Sequence, residues 1–214
     1  AAGAGNASAA AAALAAGLGS GAVGLYDDVV GARPAQKAAK GFGGHLGALR
    51  EGRVTAGVVK IVGVGTAAAI AAALLPDRSG RGVAAGRLAD VLLGAGVIAG
   101  SANLVNLLDL RPGRALKAGL AVATLSGPSA AGPAGAAAAL LPDDLGERVM
   151  LGDAGANALG ALLGLALVAR TGRVGRVALL AALAGAAAAS ERTSFTRVIE
   201  GTPALRWLDQ LGRR

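Results

Sequence analysis

The sequence predicts an all-α, polytopic integral membrane bundle, and three observations carry that prediction. Of 214 residues, 54% are hydrophobic, yet only 2% are aromatic and 16% charged. Alanine and glycine supply 56 and 36 positions, so much of the chain has a side chain of one carbon or none. A water-soluble domain of this length carries about a quarter charged residues and fills its core with aromatics and branched aliphatics. The third observation is clustering of charge: none falls within 1–26, 91–108, 118–142, 154–169 or 177–190, and 54–76 holds only Lys60. About 18 uncharged residues suffice to cross a hydrocarbon core of roughly 30 Å. An amphipathic surface helix would show charge every three or four residues.

Collagen is excluded because glycine has no three-residue period, and disorder by the positive mean hydropathy. A soluble Ala-rich helical bundle is the alternative, since alanine contributes little to membrane insertion. With no cysteine, neither a disulfide framework nor a thiolate metal site can form. The chain opens in an apolar run without Met or a basic leader segment, so further spans are expected to precede residue 1.

The spans follow from the charge gaps. The first is expected near 7–26, the second near 54–75 and the third near 88–108. The apolar stretch 115–141 is broken by Gly127, Pro128, Gly132 and Pro133, which predicts a short hairpin of two helices; about 27 residues is short for two complete crossings. The last two spans are expected near 154–169 and 174–190, giving about seven passes in one membrane domain over 1–214. Alternation then gathers 27–53, 109–117, 143–153 and the tail from 190 on one face. That face holds 14 Lys and Arg against six on the other, which predicts it to be cytoplasmic. The net charge of +8 thus reads as a topology signal and as attraction for anionic headgroups or a phosphorylated substrate. Nucleic acid is excluded as a partner because the basic residues are not interleaved with stacking aromatics.

Four segments on that face carry the chemistry. Asp27 and Asp28 are adjacent at the end of the first span; neighbouring carboxylates repel unless a cation or shared proton compensates, which suits a metal site or a base, although a solvated helix end reads the same way. Asn103, Asn106 and Asp109 recur every three residues at the end of the third span. That spacing lines oxygens along one helical face for a hard cation, or glues helices together through the carboxamides. Asp153, before an apolar helix, is either a metal ligand or an N-terminal cap. Glu191, Arg192 and Arg197 follow the last span, where arginines clamp a diphosphate or set topology. Lys60 lies near enough to the cytoplasmic end to snorkel.

The order of these motifs, GLYDD with KGFGGHL, then NLVNLLD, then VMLGDAGANALG, then a basic loop, resembles the polyprenyl-phosphate N-acetylhexosamine-1-phosphate transferases of MraY and WecA type (glycosyltransferase family 4) over nearly the whole chain. The resemblance implies an MraY-like fold of which this chain is the middle and later part, lacking the first spans and the last. It implies Mg²⁺-dependent transfer of a sugar 1-phosphate from a UDP-sugar to a polyprenyl phosphate at the cytoplasmic face of the plasma membrane, releasing UMP, in cell-wall and peptidoglycan-type synthesis. Carried onto these positions, Asp27, Asp28 and Asp109 are the catalytic acids, and Asn106 and Asp153 the ligands of Mg²⁺, with Mn²⁺ as substitute. Lys40, His45, Asn103, Arg111, Arg114, Arg192 and Arg197 are the substrate-binding set. The partners implied are polyprenyl phosphate, a UDP-sugar and the membrane, with a homodimer as a further candidate.

Two departures stand against the family pattern. Where it reads DGLDGLA, this chain reads Asp109-Leu110-Arg111-Pro112-Gly113-Arg114-Ala115, and where bacterial members carry a His-rich loop this chain has Ser194-Phe195-Thr196-Arg197. A catalytically degenerate relative that binds a lipid-linked intermediate or scaffolds other membrane proteins is therefore the alternative. A transporter with acids near the bilayer midplane ranks behind both, since no internal repeat is present and the acids fall at span ends.

Overall fold

The computed structural model describes residues 2–33, 41–76 and 84–213. Among them the chain is all-helical, with no strand. Helix α1 (Ala2–Tyr26) runs on through a five-residue π-helical turn, Asp27–Gly31, and is followed by α2 (Gly41–Arg50), α3 (Ala56–Leu74) and α4 (Ala84–Leu108). Then come α5 (Arg114–Ser126), a 3₁₀ turn (Gly127–Ala130) and α6 (Ala131–Leu145). The chain ends with α7 (Gly152–Arg170), α8 (Arg173–Arg192), α9 (Phe195–Gly201) and α10 (Pro203–Gln210).

Five helical runs are long and apolar enough to cross a membrane: 6–31, 56–74, 86–108, 152–170 and 173–192. They fall where the charge gaps place them. Helices α2, α9 and α10 lie in segments read from the sequence as connecting chain. The expected hairpin is present, but its arms have 13 and 15 residues, about 20 Å each at the usual rise per residue. The described chain therefore has five full-length candidate spans and a short-armed hairpin, not seven equal passes.

The direction of the hairpin is fixed at both its base and its tip. Asp109, just past α4, lies beside the backbone N–H of Gly152 at the start of α7, and Asp144 accepts a hydrogen bond from the N–H of Gly113 at 2.8 Å. The guanidinium of Arg170, at the far end of α7, packs onto Gly127 at the tip. The hairpin thus leaves and returns at one end of the bundle. At the opposite end Arg173 pairs with Asp90, Nε to Oδ1 at 2.9 Å.

Helix α7 is the most enclosed span, packed chiefly against α4 and α1, with α3 between those two and the hairpin on its remaining side. Helix α8 leans chiefly on α4 and buries no residue. The core is built from small side chains: Ala12, Ala16, Ala68, Ala71 and Ala161 surround Val97 and Ile98, while Leu116, Leu159 and Leu163 meet Ala115, Ala123 and Ala130. Such packing brings backbones close, as is usual where lipid rather than water surrounds helices and hydrophobic transfer between them contributes little. Large apolar side chains point outward instead, Leu14, Leu18, Leu92, Leu125 and Val174 among them.

The α4–α7 crossing depends on Gly160. A Cβ there would lie 2.5 Å from the carbonyl oxygen of Ser101 and 2.6 Å from the Cα of Ala102, both backbone atoms that cannot move aside. Gly160→Val is expected to lower stability by about 1–3 kcal/mol through overpacking, read as a reduced thermal midpoint in detergent. Gly185→Val, at a position with open space around it, should leave the midpoint within about a third of that change.

Candidate functional site

The N-terminus of α7 gathers polar side chains from three other helical segments. An α-helix begins with N–H groups that have no intrahelical acceptor and with a partial positive charge. Here both carboxylate oxygens of Asp28 cover that end: Oδ1 accepts from the N–H of Asp153 and Oδ2 from that of Ala154, each at 3.0 Å. Asp109 lies beside the N–H of Gly152, which adopts the left-handed conformation with φ 62°. The approach of α1 is possible because Gly24 has no side chain; a Cβ there would collide with the carbonyl of Asp153. The π-helical turn at 27–31 carries Asp27 and Asp28 beyond the end expected for the first span and onto this helix terminus.

A second cluster lies beside the first and centres on Lys60, in the second turn of α3. Its ammonium contacts an oxygen of Asp153, lies 3.2 Å from Oδ2 of Asp27 and donates to Oδ1 of Asn106 at 3.2 Å. Asn106 in turn donates from Nδ2 to Oδ1 of Asp153 at 2.5 Å. Asn157, one turn along α7 and buried, donates to the backbone carbonyl of Asp153 at 2.6 Å. The carboxyl groups of Asp27 and Asp153 are close enough to hydrogen-bond each other. Two carboxylates and a carboxamide oxygen thus converge on one point, and an ammonium stands there. Hard oxygen donors of this kind suit Mg²⁺, and the lysine shows that the point accepts a cation. Among the described residues no group of three or more His, Cys, Asp and Glu forms a metal site, so the donor set depends on the Asn106 amide.

The five residues expected to converge, Asp27, Asp28, Asn106, Asp109 and Asp153, therefore meet around one helix end. The substrate-binding set is dispersed. Asn103 is exposed on α4. Arg111 is exposed and pairs with Glu200 at 3.3 Å. Arg114 is buried, and its guanidinium is committed to Asp209 at 2.7 Å and to the Thr196 hydroxyl at 2.8 Å. It acts as a tie between the hairpin base and the C-terminal helices, reinforced by Lys117, which donates to the carbonyls of Leu208, Asp209 and Leu211. Arg192 and Arg197 are exposed at the ends of α8 and α9. Lys40 lies outside the described residues, and so does the side chain of His45, which stands in α2.

Lys60 and Asn157 were not singled out as site residues by the sequence reading. A lone ionisable residue in an apolar span is by default a functional-site signal with a partner to be found, and that rule identifies Lys60. Asn157 carries no comparable mark. Compared with family models, curated proteins and solved structures, the chain matches none.

The Asp109 carboxyl is pushed up to about 6, by burial first and by the neighbouring Asp144 carboxyl second, against the lowering effect of the Gly152 amide. The folded chain therefore holds this proton more tightly than the unfolded chain. Relative to acid, stability is expected to fall by at most about 3 kcal/mol as pH rises from about 4 through 6, and to stay level above that. Asp109→Asn should flatten this slope and raise the thermal midpoint at pH 7. Asp28→Ala leaves two N–H groups of α7 without acceptors and is expected to cost about 1–2 kcal/mol, measured by denaturation in detergent.

Proposed function

We propose that this chain is a membrane-embedded phosphoglycosyltransferase that moves a sugar 1-phosphate from a UDP-sugar to a polyprenyl phosphate in cell-envelope glycan synthesis. The single observation that carries the reading is the convergence of Asp27, Asn106 and Asp153 on one cation position at a helix terminus. Five full-length spans and a short-armed hairpin would make this chain the middle and later part of an MraY-like arrangement, and the excess of basic residues makes this end cytoplasmic. The family placement rests on the motif order set out above.

An oxygen of the lipid phosphate attacks the β-phosphorus of the donor; a P–O bond forms to the lipid, and the P–O bond to the α-phosphate breaks, with UMP leaving on its electron pair. Phosphate oxygens are already ionised near neutral pH, so the residues have little covalent work and act by position and charge. Asp27, Asn106 and Asp153 would hold the Mg²⁺, or Mn²⁺, which when bound offsets diphosphate charge and stabilises the departing phosphate. Asp28, by accepting from the first amides of α7, fixes where Asp153 stands. The contacts of Arg114 with Thr196 and of Arg111 with Glu200 draw α9 to this same end, so Arg192 and Arg197 stand on the side from which a nucleotide diphosphate would approach. An acceptor with its phosphate at the surface and its tail in lipid matches a site at span ends.

The test is release of UMP from UDP-N-acetylhexosamine by membranes containing the chain, with and without polyprenyl phosphate. UMP release that requires the lipid is the expected result. Asp153→Asn should lower it by about 100-fold or more, the scale of losing one electrostatic contact to the reacting group. Undiminished turnover in that variant would refute the assignment. Uptake of polyprenyl phosphate without UMP release would favour the lipid-binding relative.

A further inference from the structure

We infer that Lys60 is a built-in counter-cation that a divalent metal must displace, so that metal loading of the site and release of the Lys60 ammonium are one event. The inference rests on the cation-site reading above and adds a residue to it that the motif pattern does not contain.

The geometry carries the inference. The Lys60 ammonium touches all three residues whose oxygens would bind the metal, Asp27, Asp153 and Asn106, and its side chain is only 17% exposed. A metal bound to the same oxygens would sit within a few ångströms of the ammonium, and a dication and an ammonium at that separation repel strongly in a poorly hydrated site. Both cannot hold the same carboxylates. Lysine is suited to the exchange because its charge rides on a flexible four-carbon stem with three rotatable donors, whereas the buried Arg114 is locked by a forked pair with Asp209. Buried carboxylates without a partner are costly, so the lysine keeps Asp27 and Asp153 compensated while the metal arrives. Once displaced, its ammonium has a phosphate as its natural partner. The neighbouring acids are placed elsewhere: Asp28 caps α7, Asp109 is buried beside Asp144, and Asp144 holds Gly113.

The experiment uses the purified chain in lipid nanodiscs without substrate, with Mn²⁺ as probe and its free aquo ion read by electron paramagnetic resonance. Lys60→Met is expected to bind Mn²⁺ about tenfold or more tightly than the unaltered chain, Mg²⁺ should compete in both, and Asp153→Asn should abolish binding in both. Equal affinity with and without Lys60, or no saturable Mn²⁺ binding in either, overturns the inference. A second measurement needs no variant that has to fold. Acetylation of Lys60 by acetic anhydride, followed by mass spectrometry, is expected to rise about threefold or more when Mg²⁺ is added, while Lys117, held by backbone carbonyls, stays constant. Labelling of Lys60 that ignores Mg²⁺ rejects the exchange. Metal and lysine competing normally in a chain that releases no UMP would defeat the transferase reading alone; Mg²⁺-dependent UMP release with Lys60 labelling unmoved would defeat the exchange alone.

Discussion

The ammonium of Lys60 between the carboxylates of Asp27 and Asp153 is the interaction around which the polar end of the bundle is assembled. Two acids drawn together from α1 and α7 repel, and in a medium with little water that repulsion is severe unless a positive charge intervenes. The lysine comes from a third helix, so one contact joins α1, α3 and α7 at the same height. Asn106 brings in α4 through the same carboxylate. Four spans are thereby referenced to one point, and the Asp28 cap sets the height of α7 relative to it. If the bundle were held only by alanine contacts, helices could slide along one another at little cost, because small side chains interlock weakly. Discrete polar contacts supply the register that the apolar surfaces do not.

The same end illustrates how one residue type serves two purposes. Of the acids there, Asp28 and Asp144 receive backbone N–H groups at helix starts, whereas Asp27 and Asp153 receive a side-chain cation. The caps are structural in what they touch and functional in what they position, since the first amides of α7 also carry Asp153. At the C-terminus, Asp209 gathers Arg114 and Arg213, and Lys117 donates to carbonyls at the end of α10, the favourable placement for a cation at a helix C-terminus. Arg114, Lys117 and Arg213 are thus committed to the C-terminal helices, while Arg192 and Arg197 stay exposed.

The spans were legible from the sequence because uncharged length is a direct physical requirement, and each long charge gap became a helix within a few residues. The hairpin was legible from Gly127 and Pro128, which stand in the turn between its arms, whereas Gly132 and Pro133 fall in the first turn of α6, where a proline is tolerated. The convergence of Asp27, Asn106 and Asp153 followed from alternation, which brings span ends together without any need to know which helices touch. What could not be read were the pairings that depend on rotation of each helix about its axis. Arg114 looked like a phosphate ligand because it lies beside Asp109 in sequence, but its partner Asp209 is 95 residues distant. Lys60 looked like a snorkelling side chain because its partners sit on three different segments. The helix α10 was announced by Thr202-Pro203, a sensible helix start, and was missed because its apolar residues, Leu205, Trp207, Leu208 and Leu211, are too few to register beside the spans.

The π-helical turn at Asp27–Gly31 has a consequence for how this segment can vary. Such a turn behaves as a single residue inserted into an α-helix, and each residue advances the helix by about 100°. Deleting one residue just before the pair would swing both aspartates roughly a third of a circle away from the α7 terminus. Adding one would do the same in the opposite sense. A stretch adjoining a connecting chain, where length changes are normally harmless, is thus among the least tolerant of them in the molecule.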